Sequence, residues 1–90
     1  MADAAPTHTQ IEAALLAITM QRGPTSSACP SEVARALSPT AWRALMPHVR
    51  EVALQMAQRG LLDISQGGQS VALDGSWKGP IRIKLPAEKP

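Results

Sequence analysis

Ninety residues are enough for one small domain, and an apolar content of 44% is enough to give it a core. Nine basic residues against seven acidic ones leave a net charge of +2, which permits nucleic-acid binding but lacks the dense basic stripe of a strong binder. A single cysteine excludes a disulfide within the chain, and no apolar run approaches the length of a membrane span. The start of the chain lacks the charged and then apolar pattern of a secretory signal, so we expect a cytoplasmic protein.

The first predicted element is a helix over residues 8–22, HTQIEAALLAITMQR. Its apolar residues recur at the spacing of one helix face: Ile11, Ala14, Leu15 and Ile18. Thr7 or Thr9 can cap its start, and the Gly23-Pro24 pair supplies the stop signal. The segments 1–7 and 86–90, rich in proline and alanine, predict flexible tails on either side of one domain over residues 8–85.

A second helix is predicted over residues 30–37, PSEVARAL, because Pro30 suits the first helical position and Glu32 the first turn. The residues expected on its inner stripe are Val33, Ala34 and Leu37. A further helical turn should follow from Pro39 to Met46. Pro47 should interrupt that turn with a break or a kink at Met46, since the residue before a proline is disfavoured at helical angles.

A third helix is predicted to run from Pro47 to Arg59, with Gly60 as its C-terminal cap. Its core face comprises Val49, Val52, Ala53, Met56 and Ala57. After Gly60 the apolar period changes to that of a strand, with Leu62 and Ile64 on one face of LLDIS.

The segment PIRIKL alternates in the same way, with Ile81, Ile83 and Leu85 on one face and Arg82 and Lys84 on the other. Between the two strands lies the glycine-rich stretch QGGQSVALDGSWKG, with Gly67-Gly68 as a turn and a short strand at residues 70–73. These elements predict an α+β winged helix-turn-helix: three main helices and a two- or three-stranded antiparallel hairpin sheet that forms the wing.

Three segments, CPSEVARAL, WRALMPHVR and KGPIRIKL, occur in this order with a glycine before the first strand. They resemble a bacterial family of small winged-helix proteins classed as a domain of unknown function, over about residues 10–85. The resemblance implies a fold of the helix-turn-helix superfamily and transfers no catalytic or binding residue. The residues that are similar to the recognition helix of winged-helix transcription regulators are Val49, Ala53, Met56, Gly60 and Leu61.

A winged helix binds DNA by laying the outward face of its third helix into the major groove. The face opposite Val49 is centred near Glu51, whose charge opposes a polyanion. Arginine and glutamine side chains on this face can contact base edges, and basic side chains on the wing can grip phosphates. The predicted DNA contacts are Arg43, His48, Arg50, Gln55, Gln58, Lys78, Arg82 and Lys84. If this face binds DNA, Arg50→Glu should abolish binding while the fold survives.

The same charges also fit a domain that never binds DNA. Arg82 and Lys84 would then form the wet face of an edge strand, where charge discourages aggregation. Trp42 and Trp77 are both expected to pack on the domain rather than stack on a ligand. Beyond the minimal winged-helix unit, a chain this short offers little that could form a dimer interface. The alternative to weak DNA binding and transcriptional regulation is therefore a protein–protein interaction module without nucleic-acid contact.

Cys29 precedes the second helix, whose positive end can activate a thiol, so a redox sensor is a third hypothesis; a buried small residue or helix cap is the favoured interpretation. Cys29, His8 and His48 lack the spacing of metal ligands. No catalytic set of nucleophile and base and no phosphate-binding glycine loop occurs. We therefore expect no catalysis, no metal and no cofactor, with DNA or a protein as the partner.

Overall fold

A computed structural model describes residues 5–23 and 25–86, so Pro24 and the outer parts of both predicted tails lie outside the described residues. The chain forms helices α1 (His8–Arg22), α2 (Pro30–Leu37) and α3 (Trp42–Gln58), followed by strands β1 (Asp63–Gln66), β2 (Gln69–Ser70) and β3 (Arg82–Lys84). The fold is α+β, with three helices and a small three-stranded antiparallel sheet. This layout is consistent with the predicted winged helix.

The first two helices begin at the predicted residues because hydrogen bonds from nearby side chains cap each N-terminus. Thr7 Oγ1 accepts from the Gln10 N–H at 3.1 Å, and Gln10 Oε1 accepts from the Thr7 N–H at 2.8 Å. At α2, Pro30 takes the first helical position, and Glu32 Oε2 accepts from the Cys29 N–H at 2.8 Å. Local hydrogen bonds therefore fix both helix starts.

The predicted break at Pro47 is wrong, because α3 runs from Trp42 to Gln58 and includes this proline. Proline cannot donate to the carbonyl of Arg43 one turn earlier. Pro47 is exposed, however, so that carbonyl can bond to water instead. Leu45 and Val49, on either side of Pro47, are both buried in the core, and this packing stabilises the helix across the proline.

Helix α3 ends in a Schellman motif at Gly60, as the sequence predicts. The Gly60 N–H donates to the Ala57 carbonyl at 3.0 Å, and the Leu61 N–H donates to the Met56 carbonyl at 2.9 Å. Gly60 has a φ of +79°, a left-handed conformation that a side chain makes costly. The motif turns the chain from the helix directly into β1.

The sheet has the order β2-β1-β3, with β1 in the centre. Gly67 and Gly68 form the turn between β1 and β2, and both have positive φ. An isolated antiparallel bridge joins Ala28, just before α2, to Ile83 of β3. The strand predicted at residues 70–73 is wrong in extent, because β2 covers only Gln69–Ser70 and the chain leaves the sheet after Val71.

The core lies between the three helices and the inner face of the sheet. Its largest fully buried apolar side chains are Ile11, Leu15, Val33, Val49, Val52, Met56, Ile64, Ile81 and Ile83. All the residues predicted for the core face of α3 are buried. On α1 the buried row is Ile11, Leu15 and Thr19, while the predicted Ala14 and Ile18 are only half-buried. The Thr19 hydroxyl donates to the Leu15 carbonyl at 2.7 Å, which explains a polar group in this row.

Candidate nucleic-acid interface

The segment between β2 and β3, residues 71–81, lies against α3; we call it the wing loop. Gln58 Nε2 donates to the Leu73 carbonyl at 2.8 Å, and an Arg50 Nη donates to the Gly79 carbonyl at 2.9 Å. From the sheet side, Gln66 Nε2 donates to the Lys78 carbonyl at 2.5 Å. Side chains of α3 and β1 therefore fasten the wing loop at several points along its length.

Trp77 is the apolar anchor of the wing loop. Its ring is half-buried against the core, and the Arg50 guanidinium lies 5.1 Å from the ring centroid. The indole N–H is buried and has no protein acceptor among the described residues. Trp77 therefore packs on the domain, as expected, and it does so on the α3 side of the wing loop.

The eight predicted DNA contacts are not equivalent in the structure. Three side chains donate hydrogen bonds within the domain: Arg50, Gln58 and Arg82. The side chains of four donate none to any part of residues 5–23 and 25–86: His48, Gln55, Lys78 and Lys84. Arg43 lies over the Trp42 ring. Glu51 remains exposed on the outward face of α3, where the sequence places it.

Arg43, Arg50 and Lys78 lie on one surface, which we call the α3–wing face. Arg43 and Arg50 share one side of α3, two turns and about 10 Å apart. Lys78 precedes Gly79, whose carbonyl Arg50 binds, so its backbone lies next to the point where Arg50 meets the wing loop. These three cations form no ion pair with any carboxylate in the part of the chain that the structure describes.

Arg82 and Lys84 belong to a different surface, the outer face of the sheet. Arg82 Nε donates to Ser27 Oγ at 2.9 Å, and an Arg82 Nη donates to the Ser27 carbonyl at 3.0 Å. Lys84 is the cross-strand neighbour of Asp63, whose carboxylate lowers the net positive charge of this face without forming an ion pair with Lys84. The predicted basic set is therefore split, because β3 presents its polar side chains away from the α3–wing face.

The structure adds one basic residue that the sequence does not single out. Arg35 is exposed on α2, and its guanidinium lies 4.2 Å from the centroid of the Trp42 ring. Arg43 approaches the same ring at 4.8 Å. We call Arg35, Trp42 and Arg43 the corner cluster, since it lies where α2 gives way to α3. The expected packing of Trp42 is confirmed, because its ring is half-buried against the core.

The glutamates of α1 and α2 bind their cations on another edge of the domain. Glu12 pairs with Arg59 at 3.0 Å and with His8 at 3.3 Å, and Glu32 pairs with Arg22. The Cys29 N–H and the Arg22 guanidinium together hold the pKa of the Glu32 carboxyl below its ordinary value. Negative charge on these two helices is thus neutralised internally.

Cys29 occupies the N-cap position of α2 and is half-buried, and its Sγ accepts from the Ser31 hydroxyl at 3.1 Å. This placement agrees with the favoured interpretation of a helix cap. Across residues 5–23 and 25–86, no three metal-binding side chains are grouped together. In the same residues, no helix has both the length and the apolarity needed to cross a membrane.

Comparison with known proteins supports one part of the resemblance stated above, a domain of unknown function that spans nearly the whole chain. Among curated proteins, none matches the chain. A family model described as "Protein of unknown function (DUF3253)" matches residues 8–86, which include all three helices and the whole sheet. The chain therefore belongs to the DUF3253 family.

Proposed function

We propose that the domain binds DNA weakly through the α3–wing face and that it serves in transcriptional regulation. The observation that supports this proposal is the uneven pairing of charge. Glu12 and Glu32 are paired with cations of α1 and with Arg59, which follows α3. The cations of the α3–wing face lack a carboxylate partner in the described residues and stay available to a polyanion.

The proposed binding is weak because few cations contribute and one acidic residue opposes them. Each phosphate contact adds affinity that declines as salt rises. Glu51 lies on the same exposed side of α3 and repels phosphate. The wing loop also engages Arg50 and Gln58, so Gln55 is the predicted base-contacting glutamine that donates no hydrogen bond within the described residues. The His48 ring lies 6.4 Å from the His8 ring of α1.

The test is an NMR titration of the isotope-labelled full chain with a random duplex of about twenty base pairs, at about 50 and about 150 mM salt. The proposal expects amide shifts in residues 43–59 and 76–80 that shrink at the higher salt. An absence of shifts at the lower salt would reject DNA binding.

Lys78→Gln and Lys84→Gln form a matched pair for locating the interface. Both lysines are predicted contacts, and both variants remove one positive charge. Lys78 lies in the wing loop, next to the Gly79 that Arg50 binds, and Lys84 lies on the outer sheet face. Losing one phosphate contact costs about tenfold in affinity at about 50 mM salt. Lys78→Gln should show this loss and Lys84→Gln should not; the opposite order would place the interface on the sheet.

A second candidate is a protein-interaction module, favoured by a partly apolar groove of about 520 Å³ at the turn between α2 and α3. Pro6, Leu37 and Ala44 are among the residues that line it. Such a groove suits an apolar side chain of a partner protein. This function predicts a co-purifying protein that resists nuclease treatment and that is lost in an Ala44→Glu variant. Retention of the partner in that variant would exclude the groove as its site.

A further inference from the structure

The arginines of this chain differ in what their guanidinium groups contact. Four of the six donate to an oxygen within the domain: Arg22, Arg50, Arg59 and Arg82. Arg35 and Arg43 donate to no oxygen of residues 5–23 or 25–86, and both lie over the Trp42 ring. The corner cluster is thus the place where two guanidinium groups keep their full set of N–H donors for another molecule.

We propose that the corner cluster binds the phosphodiester backbone of DNA and supplies a sequence-independent part of the affinity. This inference rests on the proposed function and assigns phosphate contacts of that DNA binding to the corner cluster. Arginine suits the task because its planar N–H donors match phosphate oxygens in pairs. Arg35, which no pattern in the sequence marks as a contact, becomes one of the two binding side chains.

Stacking on Trp42 prepares the two guanidinium groups for an anion. An exposed arginine loses considerable rotamer freedom when it binds, and a ring that already holds the guanidinium removes part of that cost. The two positive charges also lie within a Debye length of each other. They repel each other in the free protein, and a phosphate bound between or beside them relieves that repulsion.

The position of the cluster favours a nucleic-acid backbone over an acidic peptide. Arg43 of the cluster and Arg50 lie along the same side of α3, with Lys78 beside Arg50. Cations in a row match a backbone that carries phosphates at regular intervals. An acidic peptide has no such fixed spacing of its charges.

The experiment measures the affinity of a labelled random duplex of about twenty base pairs across a series of salt concentrations. The test variant is Arg35→Gln/Arg43→Gln, and the matched control is Arg22→Gln/Arg59→Gln, which removes the same charge from two exposed ion pairs. Each lost phosphate contact reduces the salt slope by about 0.9. The test variant should lose about a hundredfold in affinity at about 50 mM salt, with a slope shallower by about 1.8. The control should lose far less and keep the wild-type slope.

Each other outcome overturns a stated part of the proposal. Equal losses in the test and control variants would mean that only net charge matters, and the corner cluster would be rejected while DNA binding stands. Wild-type slope in the test variant would also reject the cluster alone. Failure of the wild-type protein to bind the duplex would reject the proposed function together with the cluster. Displacement of the duplex by polyglutamate at equal charge concentration would assign the cluster to acidic proteins instead.

Two further variants separate charge from geometry. Arg35→Lys/Arg43→Lys keeps both charges but not the paired donors, so the salt slope should persist while affinity falls several-fold. Trp42→Leu removes the ring and should likewise weaken binding without a change of slope, because both arginines remain. Trp42→Phe should restore most of the affinity. If Trp42→Leu binds as the wild type does, the ring does not position the arginines.

Discussion

The two tryptophans have similar surroundings and different roles. Each ring is half-buried against the core, and each carries arginine. At Trp77 the arginine is Arg50, which also donates to the Gly79 carbonyl of the wing loop. At Trp42 the arginines are exposed and meet no acceptor within the described chain. At Trp77 the arginine therefore holds the wing loop against α3, whereas at Trp42 the arginine N–H donors have no acceptor within the described chain.

The difference comes from what passes over each ring. The wing loop brings backbone carbonyls to α3, and a carbonyl is an acceptor that a nearby guanidinium will use. At the corner between α2 and α3 the turn is short and no described segment lies over the arginines. Arg35 and Arg43 thus differ from Arg50 in having guanidinium N–H donors without a protein acceptor, a difference that basic residue type alone does not reveal.

The largest effect expected from this comparison follows removal of the Trp77 ring. Trp77→Ala should lower the free energy of unfolding by about 2 kcal/mol, less than for a fully buried ring. Trp77→Phe removes the N–H that lacks a protein acceptor and should cost less than about 1 kcal/mol. Urea unfolding gives these values, and the Leu73 and Gly79 amide shifts report the wing loop. Trp42→Ala should leave those two amides unchanged; if it shifts them, the two regions are coupled.

The arginines themselves provide the next test. Arg50→Ala removes a hydrogen bond from a charged donor and should destabilise the domain by about 1 kcal/mol. Arg43→Ala, on the same side of α3, should cost less than about 0.5 kcal/mol because it breaks only a stacking contact. Denaturation of both variants under the same conditions checks the order. Equal losses of unfolding free energy in the two variants would mean that Arg50 stabilises the domain no more than Arg43 does.

Elements set by local chemistry could be predicted from the sequence. The starts of α1 and α2 follow from caps within three residues of each helix, and the end of α3 follows from Gly60. The buried faces of both main strands follow from alternation, since Ile64, Ile81 and Ile83 are all buried. These features need no knowledge of distant contacts.

Features set by distant contacts could not be predicted in this way. The wing loop reaches α3 through bonds between residues far apart in sequence, such as Arg50 with Gly79 and Gln58 with Leu73. No residue pattern in the loop predicts that path, so the sequence groups Lys78 with Arg82 and Lys84 as wing residues and does not separate the two surfaces. Pro47 carries a strong local stop signal, but burial of the flanking side chains overrides it. Arg35 could not be identified from the sequence, because only the packing of α2 against α3 brings it next to the Trp42 ring.

A smaller effect, on DNA affinity, is expected from the charge of Glu51 on the exposed face of α3. Glu51 faces solvent on α3 and has no cation partner in the described residues, so it repels an approaching backbone. Glu51→Gln should raise duplex affinity about threefold at low salt, and the gain should fade as salt screens the charge. Glu12→Gln makes the same change of charge at a residue already paired with Arg59. Anisotropy titrations that show equal gains for both variants would mean that DNA does not approach Glu51 in particular.

The smallest predicted effect concerns Glu32, which forms an ion pair with Arg22. Arg35 and Arg43 form no such pair within the described residues. The Cys29 N–H and Arg22 favour the ionised form of Glu32, so its pKa is lower in the folded than in the unfolded state. The stability that this carboxylate contributes is present above the ordinary glutamate pKa and is lost as pH falls through the folded-state pKa. Glu32→Gln can keep the cap without the charge, so the stability gap between wild type and variant should close on acidification from about pH 6 to about pH 3. Urea unfolding at several pH values measures the gap. A gap that is constant with pH would mean that the Glu32 pKa is the same in both states, and the carboxylate would then be no better paired than the exposed charges at the corner.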